Sequence, residues 1–172
     1  MIRLDKNFYT NNALEIAPLL LGKILVRKLP NGEIVKYRIT ETEAYYGEED
    51  SACHARVGKT KRTWILYEEG GLSYVYLCYG IHYLLNVVTG IKDHPEAVLI
   101  RGIEGYNGPA KLTKALEIDN KLNGIDLTNS EELWIEDDGY EPLYIKDKRV
   151  GIDYATEPYK SIEWRFIVKD DI

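Results

Sequence analysis

Apolar and polar positions along this chain change their rhythm several times, and each change marks an element. "NNALEIAPLLLG" (residues 11–22) reads as a helix: Asn11 or Asn12 can cap its start, Gly22 can stop it, and Pro18 predicts a break or kink within it. "KILVRKL", "PNGE" and "IVKYRITETEA" then read as strand, turn and strand, with Pro30-Asn31-Gly32 supplying the hairpin signal. Residues 46–71 lose the pattern and predict a long irregular loop of the kind that carries function. "LSYVYLCYG" and "IHYLLNVVTG" predict two strands meeting near Tyr79-Gly80, and "EAVLIRGIE" another. "GPAKLTKALEI" opens on a Gly-Pro break and becomes a short amphipathic helix; "LWIE", "PLYIKD" and "IEWRFIV" are short strands. Strands that follow one another without regular intervening helices argue against a parallel βαβ sheet. The expected fold is α+β: a single mixed domain over residues 1–172 with a mostly antiparallel sheet and a few short helices.

The second hairpin strand carries the first candidate chemistry. If the pleat holds, Val35, Tyr37, Ile39, Glu41 and Glu43 share one face, so an apolar face ends in two acids at the rim of a core. Partial desolvation there raises a glutamate above its reference of about 4.3 and makes it a better general base. The plainer reading is that the strand has left the core and both acids are wet. The pair does not suit glycoside cleavage by acid and nucleophile, because side chains about 6.6 Å apart on one strand cannot flank a bond from opposite faces.

In "YVYLCYGIHYLLN", Tyr74 and Tyr76 share a strand face while Tyr79 falls at the turn, where Gly80 permits an unusual φ. A bulky aromatic at a hairpin tip suits a wedge that unstacks bases, at a cost of a few kcal/mol. Tyr76 would then belong to a pocket that stacks the expelled base. Two tyrosines merely packed in a sheet is the bland alternative. Composition sharpens this picture at one point: 14 tyrosines stand against two phenylalanines, a bias toward flat rings with polar tips.

A net charge of −6 argues against a nucleic-acid partner until its distribution is read. Residues 1–121 are nearly balanced, whereas residues 122–145 hold seven acids and no base. Arg56, Lys59, Lys61 and Arg62 crowd into seven positions, so a local phosphate-binding patch remains open, beside the plainer reading of a solvated surface. Cys53 and Cys78 fit neither a metal spacing nor a disulfide framework. The absence of a leader pattern and of any apolar run near ~18 residues predicts a cytoplasmic chain with no membrane span.

Read together and in this order, "LLLGKILVRKL", "ITETEAYYGEEDSACHA", "LSYVYLCYGIHYLLNVVTG", "AVLIRGIE", "GPAKLTKALEI" and "VGIDYA…EWRF" resemble the alkyladenine (3-methyladenine) DNA glycosylase family over about residues 8–168. The resemblance implies one mixed domain around a curved antiparallel sheet. It implies a monofunctional enzyme of base excision repair that flips a damaged purine out of double-stranded DNA and hydrolyses its N-glycosidic bond, with no metal and no cofactor. By position, it implies Glu43 as general base and Arg101 as the arginine that holds the attacking water. Tyr45, His54 and Tyr76 would enclose the base, Asn86 would disfavour a guanine amino group, and Tyr79 would fill the gap in the duplex. Lys59, Lys61 and Arg62 are candidates for the DNA backbone, and Glu41 a neighbour whose charge opposes ionisation of Glu43. The chain departs from the family at "TKRTW", where Lys61 and Thr63 replace proline and asparagine, at Cys53, and at Glu163 before "WRF". An asymmetric lesion needs no two-fold partner, so a monomer is expected. The competing readings are a non-catalytic damaged-DNA-binding module that stacks bases on its tyrosines, and a hydrolase of free nucleosides, for which Tyr79 would have no purpose.

Overall fold

The computed structural model describes residues 1–169. Strand β1 (Ile2–Arg3) and helix α1 (Lys6–Tyr9) lead into α2 (Ala13–Leu20), then the hairpin of β2 (Ile24–Lys28) and β3 (Ile34–Tyr46). After two short 3₁₀ turns at His54–Val57 and Thr63–Tyr67 come β4 (Ser73–Cys78), β5 (His82–Thr89), β6 (Glu96–Ile103) and β7 (Tyr106–Asn107). Helix α3 (Pro109–Ala115) and strands β8 (Leu133–Asp137), β9 (Tyr144–Asp147) and β10 (Arg165–Val168) complete it. All strand pairings are antiparallel among the described residues, in the order β1-β8-β2-β3-β6-β5-β4, with β10 bridging β3 and β9 and β7 added to β6. The α+β expectation, with its antiparallel sheet and short helices, is the fold observed.

Asn12, rather than Asn11, caps α2: its side chain accepts from the Glu15 N–H at 3.0 Å while its amide donates back to Glu15 Oε1 at 2.9 Å. Pro18 does not break this helix, which runs on to Leu20. The ring enters in the last turn, where a single backbone bond is forgone. The PNG turn forms the β2–β3 hairpin as expected, with Gly32 at φ 92°. Strands β1 and β7, two residues each, were beyond reach of the pattern.

The pleat of β3 does not hold, which corrects the expectation that Val35 through Glu43 share a face. Pairing with β6 shifts register between Ile39 and Thr42, a bulge that transposes every later side chain. Val35, Tyr37 and Ile39 therefore pack in the main core, and so does Ala44, whereas Glu43 and Tyr45 emerge on the opposite side. The neighbouring strands alternate in step: Val75, Leu85, Val87, Val98 and Ile100 join the main core with α2 and α3. Tyr74, Tyr76, Asn86, Ala97 and Leu99 face the other way, where the 3₁₀ turns build a second cluster around Leu66.

Gly70 marks a tight approach between these layers, since a Cβ there would run into the Tyr9 carbonyl and lie 3.0 Å from Thr89 Cα. Backbone on both sides leaves no flexible tip to move. Gly70→Ala should therefore cost about 1–3 kcal/mol or more, read as a lower denaturant midpoint with an unchanged slope.

Candidate active site

The bulged end of β3 brings Glu43 directly behind the wall of a cavity of about 250 Å³. Its carboxylate is 0% exposed, so the reading of two wet acids fails for this one. Tyr45 Oη donates to Oε1 at 2.8 Å and the Val150 N–H donates to Oε2 at 2.7 Å. Each oxygen keeps a further acceptor direction. Burial raises the Glu43 pKa above the ordinary carboxylate range; Arg101, the Val150 amide, the Tyr45 hydroxyl and Arg149 pull in the opposite sense. Glu43 does not itself form the cavity surface. Tyr45, Arg101 and Val150 do, and the acid lies directly behind them.

Arg101, near the end of β6, sets its Nε 3.3 Å from Glu41 and 3.9 Å from Glu43. Glu41 also accepts from Arg165 at 3.0 Å. Two guanidiniums thus meet Glu41 and offset its charge beside Glu43.

The remaining walls are aromatic. His54, from the first 3₁₀ turn, lies 4.4 Å from Tyr76 between ring centroids, and its Nδ1 pairs with Tyr74 Oη at 2.9 Å. Burial, with Arg62 and Arg56 nearby, lowers the His54 pKa to about 4, so the ring is neutral at physiological pH. Asn86 on β5 donates its amide to the Tyr74 carbonyl at 3.2 Å, which fixes the flip of its side chain toward the cavity. Leu66, Ala97 and Leu99 give an apolar floor.

At the cavity rim the β4–β5 hairpin turns through Tyr79 (φ 53°) and Gly80 (φ 70°), and the Ile81 N–H closes on the Cys78 carbonyl at 3.2 Å. Positive φ at both central residues is the requirement of a type I′ turn. Tyr79 is 88% exposed and is flanked by exposed Leu77 and Ile81. Lys59, Lys61 and Arg62 are exposed on the loop beyond His54, joined by Trp64, whose exposure the pattern did not signal. Lys59 Nζ lies 5.8 Å over the Tyr67 ring. The acidic β8 lies toward the opposite end of the strand order from β4; its Asp137 and Glu136 pair with Lys23 and Lys36, and Asp138 just after it pairs with Arg38.

Thus Glu43, Arg101, Tyr45, His54, Tyr76, Asn86 and Tyr79 come together around one cavity, with Glu43 just behind its surface. Missed were Val150, which acts through a backbone amide that no side chain advertises, and Tyr154, whose Oη donates to the Ala52 carbonyl and whose ring meets Arg56 at 4.7 Å. Also missed was the buried pair Arg149–Asp50, 99 residues apart in sequence. No group of three or more metal-ligating side chains occurs among the described residues, nor does a helix long and apolar enough to cross a membrane.

Comparison with known proteins agrees with the motif reading. A model of the family described as "Methylpurine-DNA glycosylase (MPG)" matches residues 7–106 and 105–172. A protein of Borrelia garinii subsp. bavariensis is 46% identical over 98% of this chain and 97% of its own length. One from Natranaerobius thermophilus is 43% identical over 99% and 97%, and one from Clostridium perfringens 41% over 99% and 97%. Each of the three bears the name "Putative 3-methyladenine DNA glycosylase".

Proposed function

The chain belongs to the methylpurine-DNA glycosylase family, and on that premise we propose that it is a monofunctional DNA glycosylase of the cytoplasm that releases alkylated or deaminated purines from duplex DNA, working without metal or cofactor. The observation that carries the reading is the buried Glu43 carboxylate, tied to Tyr45 at the wall of an aromatic cavity whose rim bears Tyr79.

Tyr79 enters the base stack as the damaged nucleotide rotates out, and Lys59, Lys61 and Arg62 meet the phosphates. The purine stacks against Tyr45, Tyr76 and the neutral His54. Asn86, held by its bond to the Tyr74 carbonyl, lines the cavity, and the bulk of its side chain excludes an exocyclic guanine amino group. A purine alkylated at N3 or N7 carries positive charge, which the tyrosine faces attract. The N-glycosidic electron pair leaves with the base and the sugar becomes oxocarbenium-like; an alkylated, cationic purine departs neutral, whereas hypoxanthine departs as an anion that takes a proton from solvent. Once base entry shifts the side chains that cover it, Glu43 opposes that charge and accepts a proton from a water held at Arg101, and the water oxygen bonds to C1′ of the sugar to leave the abasic site.

The test is incubation of the protein with duplex containing hypoxanthine or a methylpurine, followed by alkaline cleavage and chromatography of released bases. Free base with an alkali-labile site supports the reading. Tight binding without release at any pH supports the non-catalytic module instead, and cleavage of free nucleosides but not duplex supports the nucleoside hydrolase.

A further inference from the structure

We propose that Arg149, locked by Asp50, is a positioning residue of this reaction: it sets the attitude of the Tyr45 ring and the placement of the Val150 amide on Glu43. The inference rests on the glycosylase reading and adds a residue to it.

Arg149 is 4% exposed in the segment between β9 and β10. Its guanidinium grips Asp50 with both arms, at 2.7 and 2.9 Å, and donates to the Ala44 and Tyr159 carbonyls at 3.0 Å each. Asp50 accepts two further bonds, from the Tyr46 N–H at 2.9 Å and the Ala52 N–H at 3.0 Å. One ion pair therefore fastens three pieces of cavity wall: the end of β3 with Tyr45, the turn leading to His54, and the strap carrying Val150 through Tyr154. The same guanidinium lies 4.9 Å from the Tyr45 ring and 5.1 Å from Trp164, so Tyr45 is stacked against a fixed plane. Tyr45 and Val150 supply the two hydrogen bonds that Glu43 receives, and Arg149 braces the first while preceding the second in the chain.

A role in stability alone accounts poorly for this arrangement. Two fully buried charges are costly to desolvate, and a well-packed apolar pair of similar volume commonly matches or exceeds them. What an apolar pair cannot supply is a planar fork with four fixed acceptors and a positive charge near a buried carboxylate. Burial is the largest influence on Glu43 and disfavours its ionised form; Arg149 works against it. The other charged or titratable groups around Glu43 are Tyr45 and Glu41 on β3, Arg101 on β6, Arg165 on β10 and Tyr76 on β4.

Single-turnover base release from hypoxanthine-containing duplex, measured across pH, tests the inference with two variants. Asp50→Asn/Arg149→Met removes both charges together, so neither is left buried alone. It should lower the plateau rate about tenfold and move the acid limb to higher pH, while affinity for abasic duplex stays within twofold. Arg149→Lys keeps the charge and loses the fork; it should lower the plateau and leave the acid limb in place. Rates and limbs equal to wild type in either variant would overturn the proposal, as would a rate loss matched by an equal loss of affinity. If the double variant does not fold, the lysine variant decides alone. A wild type that releases no base from any duplex is a separate outcome, which overturns the glycosylase reading and this inference with it.

Discussion

Replacing Glu43 by glutamine should slow single-turnover base release by about 10²–10⁴-fold and leave affinity for lesion-containing duplex nearly unchanged. The amide is isosteric and fits the site: its oxygen can accept from Val150, and its nitrogen can donate to Tyr45 Oη, which is able to accept. On the proposed mechanism, what is lost is the negative charge near the developing oxocarbenium and the acceptor for the water's proton. In the wild type the same reading gives a rate that rises with pH through the Glu43 pKa. Because burial raises that pKa, the acid limb should fall above the ordinary carboxylate range. The sign for stability is opposite. Between the unfolded and the raised folded pKa, the native state holds a proton that the unfolded chain has lost, so Glu43 makes folding less favourable as pH rises through that window. Glu43→Gln should consequently melt above the wild type at neutral pH and lose this advantage below the unfolded value. Rapid base release by a folded Glu43→Gln protein would remove Glu43 from the mechanism.

The hairpins were legible because their turns are chemically explicit: Pro30-Asn31-Gly32 and Tyr79-Gly80 place glycine where φ is positive, and apolar residues flank them. The bulge at Ile39–Thr42 was not, because no residue type encodes an inserted position and the alternation reads smoothly through it. That slip matters here, since it turns Glu43 away from the face of Ile39 and toward the cavity, behind Tyr45. The residue types at the site were equally legible, in "ETEAYY" and "YVYLCYG". Their environment was not. Arg149 and Val150 reach Ala44, Asp50 and Glu43 from about a hundred positions away, and a backbone amide bonded to a carboxylate leaves no trace in composition. The doubled pairing of Glu41 likewise depends on Arg165, 124 positions on.

Tyr79→Asn should separate stability from activity in opposite directions. A tyrosine at φ 53° pays the left-handed penalty, about 1–2 kcal/mol for an L-residue with an ordinary side chain, whereas asparagine tolerates that region. The substitution also exchanges an 88% exposed ring for a small polar group, so no buried packing is lost. The folded state should hold or gain up to about 1 kcal/mol, read from the denaturant midpoint. Activity should fall. Unstacking a base from duplex costs a few kcal/mol, and a side chain that fills the vacated step returns part of it; losing 1.4–2.8 kcal/mol of that return corresponds to roughly 10- to 100-fold in duplex excision. A single-stranded substrate has no stack to invade, so its excision rate should change by less than about threefold by the same reasoning. Bulk rather than aromaticity makes the wedge, which means Tyr79→Leu should keep most of the duplex rate while retaining the strained backbone. An asparagine variant that excises from duplex at the wild-type rate, or that loses equally on both substrates, would show that the exposed tip formed by Leu77, Tyr79 and Ile81 does not enter the helix.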